Sequence, residues 1–186
     1  MILTELAVLA GRAAAARSLL DALLDVIPDD YWDRRAQGEL WSAREHLQHV
    51  ATVDEPMRQL VLDAASGARL LRPYGVEGVA EAAERRAASM RTVTEYSIDR
   101  LREQMAETRN LLLASFEQLG SSALDLPVFI PGAVNSWGQP LTVSLRHYLA
   151  SWAVHDSEHA EAIREAITTP PSPGDLALAA RRRRRP

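Results

Sequence analysis

The segment His155-Asp156-Ser157-Glu158-His159 places two histidines four residues apart in the C-terminal part of the chain. On an α-helix, residues i and i+4 lie on one face, one turn apart, and two imidazoles at this spacing can reach the same metal ion. The flanking sequence predicts that helix, because its apolar residues recur every three or four positions. We interpret the recurring positions as a core-facing seam: Leu145, Tyr148, Trp152, His155, His159, Ala162 and Ala166.

Histidine is an unusual occupant of a core-facing seam, because a buried imidazole without a partner is costly. His155 and His159 should therefore each meet a hydrogen-bond acceptor, a charge or a metal. One alternative is a pair of core histidines bonded to carboxylates or waters. The H-E-x-x-H motif of zinc proteases is only approached here: Asp156 stands where the catalytic glutamate would be, and no histidine follows His159. We therefore set a protease aside.

Composition favours one all-α domain. The chain has 186 residues, which is typical of a single domain with a full core, and aromatic residues make up only 5% of it. Alanine and leucine are abundant and runs of β-branched residues are scarce, which favours helices. There are no cysteines. Any metal ligands must therefore be His, Asp or Glu.

Charge and hydropathy exclude two classes of partner. The net charge is −4, and Arg181 to Arg185 contribute +5, so the rest of the chain carries −9. An acidic body argues against a specific nucleic-acid surface. No stretch approaches the roughly 20 apolar residues of a membrane span. We expect a soluble, cytoplasmic protein, with residues 170–186 as a mobile Pro/Arg-rich tail. A solvated tail without a specific partner is the favoured interpretation, and attraction of the five arginines to phosphate or acidic lipid headgroups is the alternative.

The periodic segments predict a four-helix bundle over residues 1–169, with a long crossover between the second and third helices. Pro56 falls inside the second predicted helix and should kink or divide it. The crossover contains Pro and Gly and a short Ala/Glu/Arg segment, Val79 to Met90, that can form a helix. The four predicted bundle helices are 2–27, 42–66, 92–119 and 142–167.

The second predicted helix is the best source of a third metal ligand. It starts with Ser42-Ala43-Arg44-Glu45, which fits the S-x-x-E capping box and gives Glu45 a structural explanation. His46 and His49 follow, and either is a candidate. His147 is a poorer candidate, because it lies about 80° round the helix and two turns away from His155.

Two motifs occur together in this chain, W-S-x-x-E-x-x-x-H at residues 41–49 and H-x-x-x-H at residues 155–159. Their order and spacing resemble the DinB/YfiT-like family, and the resemblance extends over residues 2–169. It implies a four-helix bundle with a long crossover and a three-histidine metal site. By this resemblance the metal ligands would be His49, His155 and His159, with His46 as a neighbour.

The resemblance also implies a function. The expected ion is Zn²⁺ or Ni²⁺, and the expected activity is a metal-dependent transferase that uses a small thiol, such as bacillithiol, mycothiol or glutathione, or a hydrolase. Asp156 and Glu158 are candidates to accept hydrogen bonds from the imidazole N–H groups, with solvation of one of them as the alternative. Glu45 would cap the helix or support the site. The alternative is a stress-associated, dimeric bundle without activity, whose metal is structural or vestigial. An enzyme would need a pocket for a small-molecule substrate, lined by Trp41, Trp137 or Trp152.

Overall fold

The computed structural model describes residues 2–120, 122–170 and 174. Four of its helices form a bundle: α1 (Ile2–Leu24), α2 (Ala43–Ala65), α4 (Ile98–Ser115) and α5 (Leu145–Thr168). In this bundle α1 packs on α5, α2 packs on α4, and α2 packs on α5. The predicted four-helix bundle with a crossover between its second and third helices is confirmed. Most of the predicted tail lies outside the described residues. The elements are α1 (Ile2–Leu24), α2 (Ala43–Ala65), α3 (Val79–Thr92), α4 (Ile98–Ser115), β1 (Pro127–Val134), β2 (Pro140–Ser144) and α5 (Leu145–Thr168).

Serine side chains mark where three helices begin. At α2 the capping box is complete: Ser42 Oγ accepts from the Glu45 N–H at 3.3 Å, and Glu45 Oε2 accepts from the Ser42 N–H at 2.8 Å. Ser97 and Ser144 cap α4 and α5 in the same way with their hydroxyl oxygens. The predicted starts of these two helices, residues 92 and 142, were therefore too early. Pro56 lies within α2 without dividing it.

The two long connections of the bundle pair with each other. The crossover after α2 contains α3, as the sequence predicted, and the connection after α4 contains an antiparallel β-hairpin that it did not predict. Leu71 of the crossover donates to the Pro127 carbonyl at 2.9 Å, and its own carbonyl accepts from Phe129 at 2.8 Å. These bonds fasten the hairpin across the crossover, with Val128 fully buried beneath it.

The buried stripe of α5 is displaced from the predicted seam. Trp152 and Ala166 are buried as expected, but His155 and His159 lie half-buried at the edge of the core. A single side of a helix is wide enough to hold both a fully buried stripe and a boundary row. The buried positions of α5 are Leu145, Leu149, Trp152, Ala153, Asp156, Ala160, Ile163 and Ala166.

None of the helices that the structure describes combines the length and the apolar character that a membrane span requires.

Four charged side chains, one from each bundle helix, meet inside the protein. Arg109 of α4 donates to Asp54 of α2 at 2.8 Å and to Asp156 of α5 at 3.0 Å. Arg17 of α1 donates to Asp156 at 2.7 Å and lies 3.7 Å from Asp54. Trp152 adds a 2.8 Å hydrogen bond from its indole N–H to Asp54. The two positive and two negative charges balance, and we call this group the charged quartet.

The charged quartet predicts a large effect of a small change. Asp54→Asn removes one of two buried negative charges and leaves two guanidinium groups to share Asp156. Breaking a buried ion pair from one side costs about 3–5 kcal/mol. We expect a loss of this size in the free energy of unfolding, measured by urea denaturation. The matched control is Glu161→Gln, which removes an exposed pair with Arg164 and should cost less than about 1 kcal/mol. Equal stability of the two variants would contradict the role given to the quartet.

Candidate metal site

Three histidine side chains converge between α2 and α5. His155 Nε2 lies 3.2 Å from His49 Nε2 and 3.2 Å from His159 Nε2. One nitrogen of each ring lies within 4.8 Å of the others. His49 is buried, whereas His155 and His159 are half-buried. The i, i+4 pair on α5 and one histidine of α2 therefore form a single cluster at the edge of the core.

Hydrogen bonds between the three histidines cannot satisfy all of their ring nitrogens. A neutral imidazole nitrogen carries either one proton or one lone pair. The Nε2 atom of His155 faces two nitrogens at 3.2 Å, so it can pair well with only one of them. At least one close nitrogen–nitrogen contact is left without a bond. A cation between the rings would accept a lone pair from each, so the donor set fits a metal ion.

The histidines of the cluster are kept neutral, which metal binding requires. Burial is the largest cause that lowers the pKa of His49 to about 3 and that of His159 to about 2, and the repulsion that either ring would meet if His155 were also protonated is the next. Burial also lowers the pKa of His155, against the opposing influence of Asp156. Three neutral imidazoles can bind a divalent metal such as a first-row transition ion.

A fourth histidine, His46, contacts the cluster through the Nδ1 atom of His159. His46 Nδ1 lies 3.0 Å from Nδ1 of His159, on the side of that ring away from Nε2. His46 therefore does not approach the point where the three Nε2 atoms converge. It is buried, and burial lowers its pKa from the ordinary value.

Trp41, which is half-buried, lies against the histidines. Its ring centroid is 5.0 Å from that of His49, 5.3 Å from that of His46 and 6.1 Å from that of His159. The guanidinium of Arg86, on α3, lies 5.6 Å from the Trp41 ring. Trp41 and Arg86 also line a cavity of about 340 Å³ between the start of α2 and α3. None of the three histidines is among the residues that line this cavity, so the role of Trp41 at a pocket that reaches the metal stays a prediction.

The other two tryptophans predicted to line the pocket are placed elsewhere. Trp137 is 82% exposed at the tip of the hairpin, and Trp152 is buried in the core, where it bonds to Asp54. A larger cavity of about 630 Å³ lies between α2, α3 and α4, and Thr52, one turn beyond His49, is on its wall. Both cavities fall in the range of small-molecule sites.

The carboxylates predicted to support the histidines have other roles. Asp156 Oδ2 accepts from Arg17 and Arg109 in the charged quartet, which supplies the opposite charge that a buried carboxylate requires. Among the described residues Asp156 has no hydrogen bond to an imidazole, and its support of a histidine stays a prediction. Glu158 is exposed to solvent.

Two further predictions concern Glu45 and His147. Glu45 completes the helix cap, as predicted, and its carboxylate also pairs with Arg35 at 2.8 Å. His147 is exposed on α5 and lies outside the cluster. The reasoning that its position on the helix separates it from His155 therefore holds.

The sequence placed His46 next to the ligands but did not predict which ligand it contacts, and it did not predict the arginines that bind Asp156. The first had a signal: His46 lies three residues before His49, on the same side of a helix. The second had none, because Arg17 and Arg109 come from different helices, and only packing brings them to Asp156.

Comparison with known proteins identifies the family. The model of the DinB superfamily matches residues 12–163, so the chain belongs to the DinB superfamily. None of the curated proteins compared with the chain matches it.

Two solved structures share the fold. One is a mycothiol-dependent maleylpyruvate isomerase, with a TM-score of 0.64 and 18% identity over 85% of this chain and 60% of that chain. The other is a histidine-to-alanine mutant of a mycothiol-dependent maleylpyruvate isomerase, with a TM-score of 0.63 and 16% identity over 95% of this chain and 66% of that chain. The chain thus spans about three fifths of the first isomerase, and the likeness at this identity is one of fold.

The lowered pKa values predict that the metal-free protein loses stability in acid. In the unfolded chain a histidine takes up a proton near pH 6.5, whereas folded His49 and His159 remain neutral down to about 3 and 2. Below pH 6.5 the unfolded state therefore binds more protons, and the free energy of unfolding falls as the pH falls. Each such histidine contributes a loss of about 2 kcal/mol between pH 7 and pH 5.

The measurement is urea denaturation at pH 7 and pH 5 in the presence of a chelator. His159→Leu should reduce the loss on acidification by about 2 kcal/mol relative to wild type. His147→Leu, a change at an exposed position of the same helix, should show the wild-type loss. A His159→Leu protein that is as acid-sensitive as wild type would contradict the electrostatic account of the cluster.

Proposed function

We propose that this member of the DinB superfamily is a metal-dependent enzyme acting on a small-molecule substrate, with His49, His155 and His159 as the ligands of one Zn²⁺ or Ni²⁺ ion. The observation that carries the proposal is the convergence of three neutral imidazole nitrogens, with Nε2 of His155 3.2 Å from Nε2 of His49 and of His159. Histidine-only ligation suits either ion. Three protein ligands leave a coordination position free, which is typical of catalytic zinc sites.

The proposed reaction is a transfer in which a small thiol takes part. Hydrolysis, in which water takes the place of the thiol, is the second possibility. A divalent ion at this site would lower the pKa of a thiol or a water molecule bound to it. The fold shared with a mycothiol-dependent maleylpyruvate isomerase supports the thiol reaction. The choice between mycothiol, bacillithiol and glutathione is left to the experiment below.

The chain itself contributes position and access. The α5 pair and His49 are fixed on two packed helices, which hold ligands more rigidly than loops would. His155 and His159 are half-buried, so a small molecule can reach them from solvent. The cavity of about 340 Å³ next to Trp41 is the proposed entrance for the substrate.

The alternative is a bundle without activity, dimeric and associated with stress, in which the metal is structural or vestigial. The position of Trp41 favours this reading, because its ring lies 5.0–6.1 Å from three of the imidazoles and partly covers the cluster. A structural site has no exchangeable ligand. The two functions therefore differ in whether small molecules reach the ion.

Cobalt substitution separates the two functions. We expect Co²⁺-loaded protein to change its visible absorption when mycothiol, bacillithiol, glutathione or a competitive anion is added, since the ion keeps a free position. The thiol that changes the spectrum at the lowest concentration is then used in a screen of transfer and hydrolysis substrates. Activity should disappear in His155→Ala and persist in His147→Ala. A cobalt spectrum that no thiol or anion alters would support the structural metal and contradict the enzyme.

A further inference from the structure

We infer that His46 is a positioning residue of the metal site: it accepts a hydrogen bond from Nδ1–H of His159 and thereby fixes the tautomer and the ring orientation that aim His159 Nε2 at His49 and His155. This inference rests on the proposed metal site. It assigns a role to a residue that is outside the ligand set.

The geometry places His46 where such a residue is needed. The two Nδ1 atoms of His46 and His159 are 3.0 Å apart, within hydrogen-bond distance. The Nε2 atom of His159 is on the other side of the ring, 3.2 Å from His155 Nε2. The ring of His159 therefore contacts the histidine cluster through Nε2 and contacts His46 of α2 through Nδ1.

The chemistry of imidazole fixes the direction of this bond. A histidine that binds a metal through Nε2 has its proton on Nδ1. His159 must then be the donor in the contact with His46, and Nδ1 of His46 must be the acceptor. The proton of neutral His46 lies on its Nε2 atom as a result. A histidine ligand commonly donates its second N–H in this way to a carboxylate, a carbonyl or a water, and here the acceptor is another imidazole.

His46 is distinctive among the contacts of the ligand set. The Nδ1 atoms of His49 and His155 are buried and meet no hydrogen-bond acceptor among the residues that the structure describes. His159 alone of the three has a described protein partner for its second nitrogen. His46 is itself held firmly, because it is 7% exposed and its ring meets the edge of Trp41 at 5.3 Å. A fixed partner of this kind can restrict the rotation of the His159 ring.

The first test measures zinc affinity by competition with a chelator. His46→Leu removes the acceptor and should weaken zinc binding about 10–100-fold, the usual effect of removing the partner of a ligand histidine. His46→Asn places an amide oxygen near the position of Nδ1 and should restore most of the affinity. His147→Leu, the exposed control, should bind as wild type does. Thermal unfolding of the metal-free variants shows whether each of them is folded.

The second test uses wild-type protein alone. In the zinc-loaded protein, long-range ¹H–¹⁵N correlation spectra of the imidazoles should show His159 protonated at Nδ1 and His46 unprotonated at Nδ1. A His46 protonated at Nδ1 would overturn the inference, as would wild-type affinity in His46→Leu or an equal loss in His46→Asn and His46→Leu. If the wild-type protein binds neither Zn²⁺ nor Ni²⁺, the proposed metal site itself is wrong. This outcome is distinguished from a failure of the inference because it is seen in wild type, before His46 is changed.

Discussion

The charged quartet is the constraint on which the rest of the structure depends. Asp54 and Asp156 are almost completely buried, and a buried carboxylate is tolerated only when opposite charge and hydrogen bonds accompany it. Arg109 bonds to both carboxylates, so α2, α4 and α5 must pack in one relative position. Arg17 ties α1 to the same group. We expect the quartet to restrict the small shifts between helices that apolar packing alone would permit.

This alignment also assembles the histidine cluster. His155 directly precedes Asp156 on α5, and His49 precedes Asp54 by about one and a half turns on α2. Fixing the two aspartates against shared arginines therefore fixes α2 relative to α5, and with it the distance between His49 and His155. The fully buried positions of α5 are used by the quartet and the apolar core, so the histidines occupy the boundary row, where solvent can reach them.

The sequence predicted the features that depend on local spacing. The i, i+4 histidine pair, the capping box and the bundle helices all follow from residues close together in the chain. Features that depend on packing were not predicted: Asp156 binds arginines from two other helices, and the Pro/Gly-rich segment forms a hairpin that pairs with Leu71 of the crossover. The seam of α5 was displaced because spacing alone does not separate a buried stripe from its edge.

The central claim is that one divalent ion binds between His49, His155 and His159. The most direct measurement is anomalous diffraction at the metal absorption edge, on crystals of protein loaded with Zn²⁺ or Ni²⁺. We predict one strong anomalous peak per chain, about 2.0–2.1 Å from the Nε2 atom of each of the three histidines if the ion is zinc. A peak elsewhere, or three histidines bonded only to water and to each other in metal-loaded crystals, would contradict the claim.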